Sequence, residues 1–179
     1  MKINALILFG LFPFFGCNND AKTQTVNIDN IYSMELPDFL INNNVTNEKR
    51  SLQYRSDFDE LYIHVIDQSI SNFNIELKQS KYKEKYNPDL EGYSKVCLEN
   101  YKEGFDVMFV SEPEKTSING LPAISYILRV KEDSGNIYCR FVLIQGRELY
   151  YKLVVFTLET FENDNKENME KMIKSFKEI

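Results

Sequence analysis

Along residues 137–144, and again along 149–157, apolar residues do not alternate with polar ones. Ile137, Cys139, Phe141 and Leu143 fall on one parity, and Tyr138, Val142 and Ile144 on the other. A strand with one solvated face shows a period of two, so a run that is apolar on both parities marks a strand covered on both faces. The chain must therefore supply one layer above a central sheet and another below it. Two segments have the spacing of covering helices. Asn163 to Lys177 sets Met169, Met172, Ile173 and Phe176 at i, i+3, i+4 and i+7, with Asp164 as N-cap and Glu167 three residues on. Asp89 to Glu103 sets Leu90, Tyr93, Cys97 and Tyr101 on one stripe and ends at Gly104, a suitable residue just past a helix.

The remaining strands follow from alternation and from turn chemistry. Tyr32, Met34 and Leu36 alternate before Pro37, which cannot donate to a ladder. Residues 51–56 and 61–67 flank the short polar connection Asp57-Phe58-Asp59-Glu60, and further runs cover 105–111, 121–130, 137–144 and 149–157. Glu132-Asp133-Ser134-Gly135-Asn136 suits a tight turn between two of them. The expectation is an α+β domain with a central antiparallel sheet of about seven strands flanked by helices. Residues 75–86, with Lys81, Lys83 and Lys85, fit a solvated helix or a loop equally well. After residue 30 there is no repeat and no second regime of composition, so residues 29–179 read as a single domain.

The first sixteen residues belong to another category. Lys2 precedes a run rich in Ile, Leu and Phe, shorter than the ~20 residues a spanning helix needs and broken by Pro13. This is a secretory signal in outline. It ends in Phe14-Phe15-Gly16-Cys17, which resembles a bacterial lipobox, with Phe14 where Leu is usual and Phe15 where a small residue is. The resemblance implies that residues 1–16 are removed and that Cys17 is acylated, since two or more acyl chains suffice for stable anchoring. Residues 17–28 then form a polar, lipidated tether. Asn18 after the cysteine, by resemblance to lipoproteins of bacteria with two membranes, implies the outer membrane. Asp20 alone represents the acidic cluster of surface-exported ones, so the body is expected to face the periplasm. The 27 acidic residues outnumber the 21 basic ones, giving a net charge of −6, which excludes a phosphate-neutralising surface and makes nucleic acid an unsuitable partner.

Several stretches of the body resemble the PsbP-like α/β/α sandwich, shared by a plant photosystem accessory protein, the DcrB-type bacterial lipoproteins and the Ran-binding Mog family. They are Ile31-Tyr32-Ser33-Met34-Glu35-Leu36-Pro37, Ile118-Asn119-Gly120-Leu121-Pro122-Ala123-Ile124-Ser125-Tyr126, Leu149-Tyr150-Tyr151-Lys152-Leu153-Val154-Val155-Phe156-Thr157, and Ile173-Lys174-Ser175-Phe176. The resemblance implies a fold and an accessory or binding role. It carries no catalytic residue, because the family shares no catalytic set.

Candidate chemistry is sparse. The single histidine, His64, stands mid-strand on the parity of Tyr62 and Ile66 and reads as a packed histidine rather than a general base. One histidine and two body cysteines do not make a zinc site, and Asp57, Asp59 and Glu60 lack the glycine and distal Glu of a calcium loop. No metal and no cofactor is expected. Cys97 and Cys139 either pair in an oxidising compartment or remain buried thiols, and helix-on-sheet packing favours the thiols. Eleven Tyr and thirteen Phe exceed the needs of a small core; core and strand roles account for most of them, and Tyr82, Tyr86, Tyr93 and Tyr101 are the candidates for an exposed binding face. The sequence thus points to a non-enzymatic, membrane-anchored lipoprotein that binds an envelope protein. The alternative is a carrier of a small ligand or metal between sheet and helix.

Overall fold

The structure, a computed structural model, describes residues 22–43 and 50–179. The proposed signal peptide, Cys17 and the start of the tether lie outside the described residues.

In chain order the elements are β1 (Thr23–Ile28), β2 (Tyr32–Pro37), β3 (Ile41–Asn42), β4 (Leu52–Ser56), β5 (Leu61–Ser69), α1 (Ile70–Gln79), α2 (Leu90–Gly104), β6 (Asp106–Val110), β7 (Glu114–Ile118), β8 (Leu121–Glu132), β9 (Gly135–Gln145), β10 (Leu149–Leu158), α3 (Glu162–Ser175) and β11 (Lys177–Glu178). The large sheet is antiparallel with the order β3-β4-β5-β10-β9-β8-β6, and β7 also pairs with β8. A small sheet has the order β1-β2-β11.

Two cores lie on opposite sides of the large sheet, as the apolar parities of β9 and β10 require. On one side Val142, Ile144, Leu153 and Val155 meet α3, through Met169, Met172 and Ile173, and the small sheet, through Tyr32, Met34 and Leu36. On the other side Phe141, Leu143 and Val154 share a core with Phe73 of α1 and with Tyr93, Cys97 and Leu98 of α2.

The helix ends are set by local chemistry. Asp89 accepts from the Gly92 amide at 2.7 Å and caps α2. Gly104 closes the helix as its last residue, and Phe105 follows in extended backbone, so no left-handed glycine cap forms there. The helix at the C-terminal end starts at Glu162, and Asp164 lies inside its first turn instead of capping it. Asn119 and Gly120 both take positive φ, at 49° and 86°, and make the β7–β8 hairpin turn. The Asn119 amide then donates to the carbonyls of Lys174 and Phe176, at 3.0 and 2.7 Å, and satisfies the end of α3.

One boundary needs correction. Residues 23–28, expected to belong to the tether, instead form β1 and pair with β2 across a turn at Asp29 and Asn30, both with positive φ. Gln24 further ties this strand to the carbonyl of Leu40 at 2.7 Å.

Candidate functional site

The uncovered part of the helical face forms a groove. Ladder register sets Ile66 opposite Lys152, His64 opposite Val154 and Tyr62 opposite Phe156, so these side chains share one face of β5 and β10. Ile137 of β9 lies opposite Leu158 and beside Val130 of β8, extending the floor. Tyr101 and Phe105, at the C-terminal end of α2, form a wall, and Arg50, Glu60, Glu132 and Ser134 complete the lining of a cavity of about 430 Å³. That volume is in the range of small-molecule sites. The floor is held by its own contacts: Tyr62 stacks on Phe156 at 4.9 Å, and His64 meets Phe156 edge-on at 5.4 Å.

A second cavity of about 370 Å³ opens between α1, α2 and the sheet, and it shares Ile66 and Lys152 with the first. It is walled by Phe73, Leu77, Tyr82, Tyr93 and Cys97. Its aromatic end is closed by Tyr93 stacked on Tyr150 at 4.3 Å, with Phe73 edge-on to both.

His64 is half-buried and lies 3.4 Å from the guanidinium of Arg50. Arginine can only donate, so Nε2 accepts and the ring proton sits on Nδ1. Burial first, and the Arg50 charge second, hold the imidazole down to about 4, so it is neutral near pH 7. A histidine held by a cation instead of a carboxylate lacks the partner that would stabilise an imidazolium during proton transfer. Among the described residues no group of three or more His, Cys, Asp or Glu side chains converges on a metal position.

The structure disperses the expected tyrosine face. Tyr93 is 1% exposed and Tyr82 is 7% exposed, while Tyr86 and Tyr101 are half-buried. The lysine-rich segment folds back on α2, which turns Tyr82 and Tyr86 toward the helix and brings their hydroxyls to Glu103 at 3.3 Å and Glu99 at 3.4 Å. Tyr101 stacks on Phe105 at 4.5 Å and lines the first cavity. Tyr82 and Tyr93 line the second cavity and Tyr101 the first, and the four do not form one exposed surface.

Asp57, Asp59 and Glu60 are spent on the turn. Asp59 accepts from the Ser56 hydroxyl at 2.6 Å, Arg55 pairs with Asp57 at 3.4 Å, and Tyr62 donates to Glu60 at 3.1 Å. Cys97 and Cys139 are both free and buried. Burial pushes both thiols up, Cys139 to about 12, which leaves them un-ionised and inert. Sequence reasoning missed Arg50, Tyr62, Lys152 and Phe156 as groove residues. The available signal was Lys152, a charge on an otherwise apolar strand.

No family model matches the sequence, and no curated protein matches it. Solved structures do. The chain is similar to the PsbP protein of the cyanobacterium Synechocystis sp. PCC 6803, CyanoP, with a TM-score of 0.60, 13% identity, and coverage of 94% of this chain and all of that one. The fold is PsbP-like. LpqN of Mycobacterium tuberculosis, described as involved in cell envelope biogenesis, shares this PsbP-like arrangement at a TM-score of 0.55 and 9% identity, over 89% of this chain and 92% of its own. A Bacteroides thetaiotaomicron protein matches at 0.54 and 6% identity, over 83% of this chain and 45% of its own. Within the PsbP-like frame the groove is a feature of this chain's own side chains, because identities this low carry architecture and not residues.

Proposed function

We propose that this chain is a non-catalytic binding protein of a bacterial envelope, held at the outer membrane by an acylated Cys17 with its body toward the periplasm, and that it binds at the groove. The observation that carries the reading is a mostly apolar cavity of about 430 Å³ whose histidine is neutral and backed by a cation. The lipobox-like Phe14-Phe15-Gly16-Cys17 and the fold shared with an envelope biogenesis protein support the address. Among the described residues no helix is long and apolar enough to cross a membrane.

A volume within the range of small-molecule sites favours a small ligand as the occupant. A protein partner is the second reading, favoured by Phe105 on the groove wall and by Met108 and Phe109 on β6, which are 46%, 50% and 52% exposed. Mass spectrometry of protein isolated from its native membrane, with gentle crosslinking beforehand, tests the proposal. Diacylated Cys17 together with bound small-molecule mass or a crosslinked partner supports it. A bare thiol on a chain always recovered alone, and able to turn over a substrate, contradicts it.

A further inference from the structure

The partly buried basic side chains among the described residues divide into two groups. Arg55, Lys95, Arg129 and Arg140 each hold a carboxylate. Arg50 and Lys152 hold none, and both line the first cavity. In a chain of net charge −6, with carboxylates in excess, two half-desolvated cations left without a counter-ion need a reason, because a charge withdrawn from water is costly unless paired.

Their placement supplies one. Lys152 is the ladder neighbour of Ile66 on one side of β5. Arg50 precedes Ser51, whose amide bonds the Val65 carbonyl at 3.0 Å, so it approaches β5 from the other side. Between them stands His64, neutral and bonded to Arg50, which offers no competing charge. From Lys152 the floor runs along Val154, Phe156 and Leu158, a length of about 20 Å at the rise of an extended strand. Glu60 and Glu132 stand at the far end and repel an anion placed there. The groove is therefore polarised, with cations at one end, an apolar floor, and carboxylates at the other.

We propose that the groove binds a free monocarboxylate with an unbranched apolar tail, its carboxylate between Lys152 and Arg50 and its tail over Val154, Phe156 and Ile137. This rests on the small-ligand reading above and names its ligand class. An ionised head between two cations makes charge-assisted hydrogen bonds, and the tail covers the open face of the Tyr62–Phe156 stack.

The test uses the full chain carrying Cys17→Ser, which has no acyl chain of its own, titrated calorimetrically with decanoate and with decan-1-ol as the neutral counterpart. The expected result is one decanoate per chain, bound at least about tenfold more tightly than decan-1-ol. Lys152→Gln and Arg50→Gln each weaken decanoate about tenfold and leave decan-1-ol unchanged, while thermal unfolding shows that each variant is folded. Equal affinity for the two probes, or decanoate binding indifferent to both substitutions, overturns anion recognition and leaves an apolar small-ligand site standing. Binding of neither probe, with an envelope protein or anionic vesicles captured at the groove, overturns the ligand class together with the small-ligand reading. Binding of nothing at the groove, in either assay, removes the proposed function as well.

Discussion

On one face of the large sheet Phe176 lies fully buried, stacked on Tyr32 at 5.2 Å and tilted against Tyr151 at 4.8 Å. On the other face Phe156, stacked on Tyr62 and met edge-on by His64, remains half-buried and borders a cavity. The same kind of aromatic contact thus serves two ends. Where α3 and the small sheet close the layer, the rings fill a core, and ion pairs such as Arg129–Glu162 at 2.6 Å and Arg140–Glu170 fasten the helix to the strands. Where α1 and α2 cover only part of the layer, the ladder itself holds the rings in place, so the floor is preformed without a lid. A closed layer and a partly open one thus lie on opposite faces of a single sheet.

The largest effect that would sharpen this contrast is on the closed face. Phe176→Ala is expected to lower unfolding free energy by about 3–5 kcal/mol, read by denaturant titration, because a fully buried ring leaves a cavity among rigid neighbours. Next comes the junction of the lysine-rich segment with α2. A methyl at Gly92 would overlap the Asn87 carbonyl, which is backbone and cannot rotate away, so Gly92→Ala is expected to cost about 1–3 kcal/mol in the same titration.

The open face makes a smaller, pH-dependent contribution. His64 ionises in the folded protein near 4 against an ordinary value near 6.5, so the unfolded chain takes up the proton first as pH falls. The associated stability is fully present above about pH 6.5 and is lost as pH falls toward 4, on the order of 1 kcal/mol given the partial exposure of the ring. Unfolding midpoints measured from pH 7 to pH 4.5 are expected to fall, and the fall is expected to shrink in His64→Leu. The smallest effect is at the groove floor, where Phe156→Leu is expected to cost less than about 1 kcal/mol, since the ring already has one side open. A cost there as large as at Phe176 would erase the difference between the faces.

The sheet was legible because its central strands carry apolar residues on both parities, and α2 and α3 because their stripes keep a helical period. β1 was not, since Val26 is the one buried residue in Thr23–Ile28 and, apart from the partly buried Ile28, the rest of the strand is polar. Its turn residues, Asp29 and Asn30, were the overlooked signal, as both tolerate left-handed backbone. β7 escaped for a similar reason, with residues 114–117 exposed, and β3 and β11 are two residues each. The groove could not be read from the sequence because it depends on register: Lys152 and Ile66 become neighbours only when β10 lies beside β5. The tyrosines were misplaced because Lys81 and Lys85 imply solvent, whereas these lysines pair with Glu103 and Glu99 and leave Tyr82 and Tyr86 turned toward α2.

The division of labour between the faces is tested most directly by methyl and imidazole NMR of the full chain carrying Cys17→Ser as decanoate is added. The account predicts shifts at Ile66, Val154, Ile137 and His64, with Val26, Val65 and Ile173 unmoved. Shifts centred on the α3 side, or spread evenly over both faces, would contradict it.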